Sequence, residues 1–215
     1  MKSESRRVDK VTVVDHPLVA RDVTLLRDAG SGADAFRRAL HRVSLALAME
    51  ALRGAPTEEC RVKTPIRETT GRRLSGDVIV VPILRAGLGM VDAFLQLLPE
   101  TRVGHLGMYR DEETHEPVDY YANIPGGVES ALVLVVDPML ATGGSACGAL
   151  SHLRRRGAQH LRFISLISAP EGIRKLREQH PDVPLITAAI DEKLNDEAFI
   201  VPGLGDAGDR YFDTL

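Results

Sequence analysis

Residues 135–145 read Val135-Val136-Asp137-Pro138-Met139-Leu140-Ala141-Thr142-Gly143-Gly144-Ser145. The apolar run that enters this segment begins at residue 131, and a run so short and continuous is typical of a strand buried on both faces of a parallel sheet. A helical pattern follows the glycines over residues 145–156. A strand, a turn and a helix in this order predict a βα unit whose polar turn lies at the carboxyl end of the strand.

The same alternation extends along most of the chain. Further strand-like runs lie at residues 77–83, 161–167 and 185–190, and helical patterns lie at 88–98 and 171–180. Two more helices are predicted between residues 17 and 53, with Gly30 and Gly32 marking the break between them. The sequence therefore predicts an α/β fold, a parallel sheet core flanked by helices on both faces, formed as a single domain over residues 1–215.

Three segments depart from the alternation. A charged, threonine-rich stretch at residues 58–73 separates the first helices from the first strand. Residues 109–127 are rich in charge, tyrosine and turn residues, which predicts an exposed β-hairpin flap. Residues 199–213 carry too many glycines and aspartates for a regular element and too many apolar side chains for a disordered tail, so we expect an ordered terminal loop over a site.

The composition fits a globular protein of a reducing compartment. The 215 residues are 44% hydrophobic and 27% charged, and a formal net charge of -3 argues against a main role in neutralising nucleic-acid phosphates. Cys60 and Cys147 show neither a disulfide framework nor a zinc spacing. The apolar runs are strand-sized, far short of a membrane span, and we expect a cytoplasmic protein without membrane or nucleic-acid partners.

The turn after residue 136 suits a phosphomonoester. Glycines let the backbone approach an anion, the free amides of a helix N-terminus point towards it, and the hydroxyls of Thr142 and Ser145 add donors. Asp137, at the end of the strand, can accept hydrogen bonds from the vicinal hydroxyls of a ribose. This combination indicates a ribose 5-phosphate site; the alternative is that Ser145 merely caps a helix after a glycine turn.

This segment resembles the loop that binds phosphoribosyl pyrophosphate (PRPP) in the type I phosphoribosyltransferases. Many of those proteins carry two successive acidic residues where this chain has Asp137 and Pro138, and the version with proline is usual in the uracil phosphoribosyltransferase family. The resemblance implies the type I phosphoribosyltransferase fold and a PRPP site made of Asp137, Pro138, Met139, Leu140, Ala141, Thr142, Gly143, Gly144 and Ser145.

Arg85 follows another strand-like run, in Val81-Pro82-Ile83-Leu84-Arg85-Ala86-Gly87. A guanidinium beside turn amides, at the carboxyl end of a sheet strand, can bind a diphosphate through several charge-assisted hydrogen bonds. The alternative is a surface arginine near the start of a helix. The segment resembles the pyrophosphate loop of the family, which implies that Arg85 binds PRPP.

Arg110 lies in the charged segment Tyr109-Arg110-Asp111-Glu112-Glu113-Thr114. Taken alone, a charge run in a hairpin is usually a solvated face. The resemblance implies instead that this motif begins the flap that closes on PRPP, and that Arg110 contacts the diphosphate. His115 stands where many relatives have leucine. This difference affects the expected packing of the flap but not the implied role of Arg110.

The glycines at 203, 205 and 208 match the spacing of a dinucleotide fingerprint, but the chain ends too soon after them for the helix and second strand that the fingerprint requires. A rigid glycine-rich loop can instead offer its amides and carbonyls to the edge of a pyrimidine. The segment resembles the family's uracil-binding loop, where Phe199 replaces a more usual tyrosine and Asp206 also faces PRPP. The implied uracil-binding residues are Ile200, Gly205, Asp206 and Ala207.

Two other signals indicate no separate function. Arg154, Arg155 and Arg156 precede a glycine in a last helical turn, where basic residues are ordinary capping electrostatics rather than a nucleic-acid patch. The seven histidines show no metal-ligand spacing, and the chain has no GxxxxGK[ST] phosphate loop. Metalloprotease and P-loop kinase are therefore unsupported.

The resemblance implies conversion of uracil and PRPP to UMP and diphosphate in pyrimidine salvage, with Arg85, Arg110, Asp137 and Asp206 as catalytic residues. It further implies Mg²⁺ held mainly through PRPP rather than by protein ligands, and a homodimer or larger homo-oligomer. Some relatives are activated by GTP, so GTP is a candidate activator, although the sequence has no separable nucleotide motif that decides this. Three alternatives remain open. They are a phosphoribosyltransferase for another base, a UMP-sensing RNA-binding regulator on the same fold, and an interaction protein with a degenerate site.

Overall fold

The computed structural model describes residues 6–8, 10–110 and 117–214. The strands in these ranges are β1 (Arg6–Val8), β2 (Val11–Val13), β3 (Thr57–Lys63), β4 (Glu68–Leu74), β5 (Val78–Leu84), β6 (Arg102–Val103), β7 (His105–Arg110), β8 (Pro117–Asn123), β9 (Leu132–Val136), β10 (Met139–Leu140), β11 (His160–Ser168), β12 (Leu185–Ile190), β13 (Lys193–Leu194) and β14 (Ile200–Val201). The helices are α1 (Pro17–Arg27), α2 (Ala33–Ala51), α3 (Leu88–Leu97), α4 (Gly144–Arg155), α5 (Pro170–Gln179) and α6 (Ala207–Phe212).

A mostly parallel sheet forms the centre of the fold. Its parallel strands lie in the order β2-β12-β11-β9-β5-β7, and β1 and β8 add an antiparallel strand at each edge. Every strand that the apolar runs predicted is present, within a residue or two of its predicted bounds. The prediction of a parallel sheet core is confirmed, and the antiparallel edges are an addition to it.

Helices cover both faces of the sheet because its central strands are apolar on both sides. In β9, Leu134 and Val136 pack into one core with residues of α1, α2 and α3, whereas Val133 and Val135 pack into a second core with α4 and α5. Side chains that alternate between two buried faces produce an unbroken apolar run in the sequence. The sheet is therefore held rigidly from both sides, and its strand ends are fixed positions for a site.

The segment at residues 58–73 forms an antiparallel hairpin of β3 and β4. Most of its side chains are exposed on both faces of the hairpin. A strand that buries neither face shows no alternation of apolar and polar residues, and for that reason this hairpin was not predicted.

The expectation that residues 199–213 lack regular structure is wrong. The segment contains β14, which pairs with β13, and the short helix α6. Asp206 caps that helix, since its carboxylate accepts a hydrogen bond from the backbone N–H of Asp209 at 2.9 Å. One of the aspartates that argued against a helix is the residue that starts it.

The predicted flap corresponds to the hairpin of β7 and β8. Its strands begin at His105 and end at Asn123, so the hairpin starts earlier than the predicted residue 109 and ends before the predicted residue 127. The inner strand β7 is joined to the main sheet through β5. Residues 111–116, which include His115, and the side chain of Arg110 lie outside the described residues.

The basic residues at the end of α4 behave as predicted. Arg154 donates hydrogen bonds to the carbonyls of Ala158 and Gln159 and pairs with Asp182, and Gly157 follows with a φ of +90°. This is a helix end stabilised by a cation and closed by a left-handed glycine.

Among the helices in the described ranges, none is long and apolar enough to span a membrane.

Candidate active site

The candidate site lies where the central strands end. β5 and β9 are parallel neighbours, with Pro82 opposite Val136, so the segments that follow them leave the same edge of the sheet. Arg85 is the first residue after β5 and Asp137 is the first after β9. In open α/β sheets ligands bind in the crevice at the carboxyl ends of the strands, and the fold brings the two predicted segments to that crevice.

The segment after β9 is fixed by the neighbouring strand β11. The backbone N–H of Asp137 donates to Ile164, the carbonyl of Pro138 accepts from Leu166 and Ile167, and the carbonyl of Leu140 accepts from Ala169, over 2.8–3.1 Å. Pro138 and Leu140 are also buried. These two predicted PRPP-binding residues therefore anchor the loop to the sheet with their carbonyls.

The end of the loop leaves helix amides directed at the crevice. Gly143, at the N-cap of α4, has a φ of +80°, and a Cβ there would lie 3.0 Å from the carbonyl oxygen of Gly172. The hydroxyl of Thr142 accepts a long hydrogen bond, 3.4 Å, from the N–H of Gly144, and the N-cap residue Gly143 has no side chain to cap α4. A helix N-terminus that starts at a glycine turn can accept a phosphate in place of a side-chain cap.

Asp137 carries the most perturbed carboxyl of the site. Burial raises the pKa of Asp137 to about 7, the hydrogen bond from the N–H of Met139 opposes that rise, and the nearby charge of Asp206 adds to it. The N–H of Met139 lies 3.3 Å from the carboxylate of Asp137. The two carboxylates therefore share one electrostatic environment, and Asp137 ionises near neutral pH in the ligand-free protein.

Arg85 reaches across to the terminal segment. Its guanidinium donates to the carboxylate of Asp209 at 2.9 Å and lies 6.0 Å from the ring of Phe212, while 60% of the side chain is exposed. Hydrogen bonds from Thr214 and from Arg85 hold the pKa of Asp209 below its usual value. Asp209 was not among the predicted site residues, because nothing in the sequence shows that a residue of the terminal segment faces Arg85.

A glycine sets the course of the chain beside Arg85. A Cβ on Gly87 would lie 2.6 Å from the carbonyl oxygen of Val136 and 2.7 Å from the backbone of Ile83. No side chain fits there, so Gly87 allows the turn after β5 to lie directly against the end of β9. The peptide bond between Leu84 and Arg85 is cis.

The predicted uracil-binding residues divide into two groups. Gly205 and Asp206 are exposed, with Gly205 at a φ of +76°. Ile200 and Ala207 are buried, and their side chains pack into the core beneath the sheet. Because their side chains are buried, Ile200 and Ala207 could contribute only backbone groups to a base, and binding of the pyrimidine edge by this loop stays a prediction.

The acidic groups of the site suit a metal that is held mainly by a substrate. Within the described ranges, no three His, Cys, Asp or Glu side chains are grouped as metal ligands. Asp137 and Asp206 nevertheless bring two carboxylates to the crevice. Mg²⁺ commonly binds through one or two carboxylates, substrate phosphates and water, and the residues present fit such an ion.

A separate cavity of about 420 Å³ lies at the opposite edge of the sheet, near the first residues of β5, β9 and β11. It contains none of the predicted site residues. It borders the amino ends of the strands, whereas the strand-end segments with phosphate-binding geometry lie at the carboxyl ends. We therefore assign the site to the carboxyl edge.

Comparison with known proteins identifies the family of the chain. The family model described as "Uracil phosphoribosyltransferase" matches residues 13–214. The chain belongs to the uracil phosphoribosyltransferase family. A curated uracil phosphoribosyltransferase of Salinibacter ruber is 56% identical over 207 residues, which cover 96% of this chain and 99% of the relative.

Solved structures support the same fold. The AQ2163 protein of Aquifex aeolicus has a TM-score of 0.89 and 36% sequence identity, covering 94% of this chain and 97% of that one. A purine phosphoribosyltransferase of Pyrococcus horikoshii, at 19% identity, has a TM-score of 0.51 over 73% of this chain and 85% of its own. The predicted type I phosphoribosyltransferase fold is confirmed, and the comparisons give no support to the RNA-binding alternative.

Proposed function

We propose that this chain transfers the 5-phosphoribosyl group of PRPP to N1 of uracil, forming UMP and diphosphate. One observation carries the proposal beyond family membership. The loop after β9, the arginine after β5 and the terminal segment all meet at one edge of the sheet, through the charge interaction of Asp137 with Asp206 and the hydrogen bond of Arg85 to Asp209. The loop proposed for PRPP and the loop proposed for uracil therefore lie next to each other.

The 5-phosphate of PRPP would bind at the N-terminus of α4, where the amides after Gly143 and the hydroxyls of Thr142 and Ser145 supply donors. The carboxylate of Asp137 would accept hydrogen bonds from the ribose hydroxyls. Since those hydroxyls donate to the ionised form, PRPP favours ionised Asp137 and lowers its pKa from about 7. Binding of the ribose therefore restores the charge that burial disfavours.

The leaving diphosphate would be held by Arg85 and by Arg110 from the flap. Arg85 is now paired with Asp209 in a largely exposed contact, and such pairs contribute only about 0–1 kcal/mol. A diphosphate carries more charge than one carboxylate and accepts the fork of the guanidinium at more than one oxygen. Exchange of Asp209 for diphosphate therefore costs little and leaves Arg85 in place to stabilise the charge that develops on the leaving group.

The reaction would be a displacement at the anomeric carbon. A bond forms from N1 of uracil to C1 of the ribose, the bond from C1 to the diphosphate oxygen breaks with its electron pair leaving on diphosphate, and N1 loses its proton. The protein would hold N1 and C1 in line, and the flap would exclude water that would otherwise hydrolyse PRPP. Asp137 or Asp206 could hold Mg²⁺ together with the substrate, and such an ion would supply positive charge for the leaving diphosphate.

Three further properties are proposed with this activity, on the strength of the family resemblance and the composition. They are activation by GTP, assembly as a homodimer or larger homo-oligomer, and a cytoplasmic location. An activity assay with and without GTP tests the first, and sedimentation of the purified chain tests the second.

The deciding experiment measures UMP and diphosphate formation by the purified chain with PRPP and Mg²⁺. Uracil, cytosine, orotate, hypoxanthine and adenine are offered in parallel. Turnover of uracil alone is the expected result. Absence of turnover with every base, by protein whose circular dichroism shows it to be folded, would overturn the proposal, and turnover of another base would move it to a different phosphoribosyltransferase.

A further inference from the structure

Two arginines hold consecutive carbonyls of the terminal loop. Arg27, the last residue of α1, donates from one nitrogen to the carbonyl of Gly203 at 2.8 Å. Arg210, in α6, donates to the carbonyl of Leu204 at 2.8 Å. Neither arginine is among the residues that the family resemblance marks as binding a substrate, and both lie beside the loop that the proposed function gives to uracil.

Arg27 is itself fixed by a buried carboxylate. It donates to both oxygens of Asp191, at 2.5 and 2.8 Å, and the side chain of Asp191 is only 2% exposed. One of those oxygens also accepts from the backbone N–H of Gly203 at 2.9 Å. The pair therefore binds both the N–H and the carbonyl of Gly203 and leaves its peptide groups no freedom to rotate.

Gly203 is in a conformation that the loop cannot relax locally. Its φ is +64°, and a Cβ would lie 2.1 Å from the carbonyl oxygen of Ile200. Arg210 secures the following residue from the other side, since it also donates to the carbonyls of Leu26 and Asp28 and its guanidinium lies 4.5 Å from the ring centre of Phe36. The loop is thus tied at two successive peptide groups to the end of α1.

Fixing a carbonyl fixes the amide beyond it. In a planar trans peptide the C=O of one residue and the N–H of the next point in opposite directions. Because the carbonyls of Gly203 and Leu204 face the two arginines, the N–H groups of Leu204 and Gly205 face away from them. No backbone carbonyl of the described residues accepts from the N–H of Gly205, an exposed residue in the proposed uracil loop.

We propose that the Arg27–Asp191 pair and Arg210 are positioning residues that set the direction of the terminal-loop amides and so select the carbonyl edge of uracil over the amino edge of cytosine. The selection follows from hydrogen-bond chemistry and rests on the proposed function. Uracil presents a carbonyl at C4 and an N–H at N3, whereas cytosine presents an amino group and a bare nitrogen. An amide N–H that is held in place binds the carbonyl and opposes the amino group.

The test replaces the buried pair as a unit, by Arg27→Met with Asp191→Asn, so that no buried charge is left unpaired. Steady-state kinetics with uracil, cytosine and PRPP, and a thermal melt, are measured on this variant. We expect the KM for uracil to rise about 10-fold or more, the KM for PRPP to change less than about 3-fold, and the preference for uracil over cytosine to fall about 10-fold, as a site that loses an oriented polar group would show.

A matched control is available in the same helix. Asp22 of α1 is also 2% exposed at its side chain and accepts from Arg42 at 2.8 Å with both oxygens, but this pair makes none of the terminal-loop contacts. Asp22→Asn with Arg42→Met removes a pair of the same bidentate geometry, in which Asp22 also accepts from Arg21 at 3.2 Å. We expect it to lower the melting temperature without changing the KM for uracil or the preference between bases.

The outcomes separate this inference from the proposed function. If the wild-type chain does not use uracil, the proposed function fails and this inference fails with it. If the wild-type chain uses uracil and the Arg27→Met, Asp191→Asn variant keeps the same KM and preference, only the positioning role is overturned. If that variant does not fold, the single variants Asp191→Asn and Arg210→Lys are measured instead. Each keeps a side chain of similar size and removes part of the contact, and the KM for uracil and the preference for uracil over cytosine decide in the same way.

Discussion

Replacing Asp137 by asparagine should stabilise the ligand-free protein at pH 8 while it impairs the use of PRPP. Burial raises the pKa of this carboxyl from 3.8 to about 7. In the unfolded chain the carboxyl ionises near its ordinary value, so between pH 4 and pH 7 only the folded state keeps the proton. Stability that depends on the protonated group is complete below pH 4 and is lost as the pH rises through 7.

The size of the effect follows from the difference between the pKa of Asp137 in the folded protein and its pKa in the unfolded chain. Ionisation of Asp137 in the folded state costs about 4 kcal/mol relative to the unfolded chain above pH 7, because each tenfold change in an equilibrium constant is about 1.4 kcal/mol. Asparagine keeps the shape and the acceptor for the N–H of Met139 but never ionises. The carboxyl is partly accessible, so about 4 kcal/mol is an upper bound, and we expect Asp137→Asn to gain 2–4 kcal/mol at pH 8.

Urea unfolding of the two proteins without ligands, at pH 4 and pH 8, measures this difference. At pH 4 the gain should be less than about 1 kcal/mol, since the carboxyl is then protonated in the folded state and only about half ionised in the unfolded chain. Titrations of other groups occur in both proteins and cancel. Asp34→Asn is the control, because Asp34 is 75% exposed at its side chain and its replacement should change stability by less than about 0.5 kcal/mol at either pH. An equal difference between wild type and Asp137→Asn at both pH values would refute the reasoning.

Four other changes test the site and its support. The kcat/KM for PRPP should rise with pH through about 7 as Asp137 ionises, and a pH profile of Asp137→Asn should lack that rise; a profile shared by both proteins would assign it to PRPP itself. Arg85→Ala should lower kcat about 10²–10³-fold with the KM for uracil changed less than about 3-fold, measured by steady-state kinetics, and a defect confined to uracil binding would contradict its role. Gly143→Ala should cost about 1–2 kcal/mol by urea unfolding and raise the KM for PRPP, because its φ is +80°; unchanged values would show that the turn adapts. Asp22→Ala should cost about 1–3 kcal/mol, because it removes the carboxylate that accepts from Arg42 and Arg21 while both arginines remain partly hydrated, with unchanged KM values; a change in KM would show that the pair contributes to the site.

The sequence predicted the sheet and its helices because the signal for both is local. A strand buried on two faces is an unbroken apolar run. In β9, Leu134 and Val136 face one core and Val133 and Val135 face the other, so every residue is apolar. The segments at Arg85 and Asp137 were likewise readable, since each lies directly after a strand. Their closeness in space follows from the parallel pairing of β5 with β9.

The contacts that the sequence could not show join residues far apart in the chain. Arg85 and Asp209 are separated by 124 positions, and Arg27 and Asp191 by 164. No periodicity or spacing rule relates residues at such distances, and an isolated arginine at the end of a helix is ordinarily explained by the helix dipole. The hairpin of β3 and β4 was not predicted for a different reason: strands exposed on both faces have no apolar pattern.

The short helix α6 explains why glycine spacing alone does not define the terminal loop. Asp206 caps this helix and also raises the pKa of Asp137, while Asp209, one turn later, accepts from Arg85. One turn of helix thus presents two carboxylates to the two segments that we propose bind PRPP. A loop with the same glycines but no aspartate at position 206 would lose the cap, which weakens this helix by about 0.5–2 kcal/mol and loosens the position of Asp209 opposite Arg85. The terminal segment and the two strand-end segments are therefore linked electrostatically through Asp206 and Asp209, so that the aspartates matter as well as the glycines.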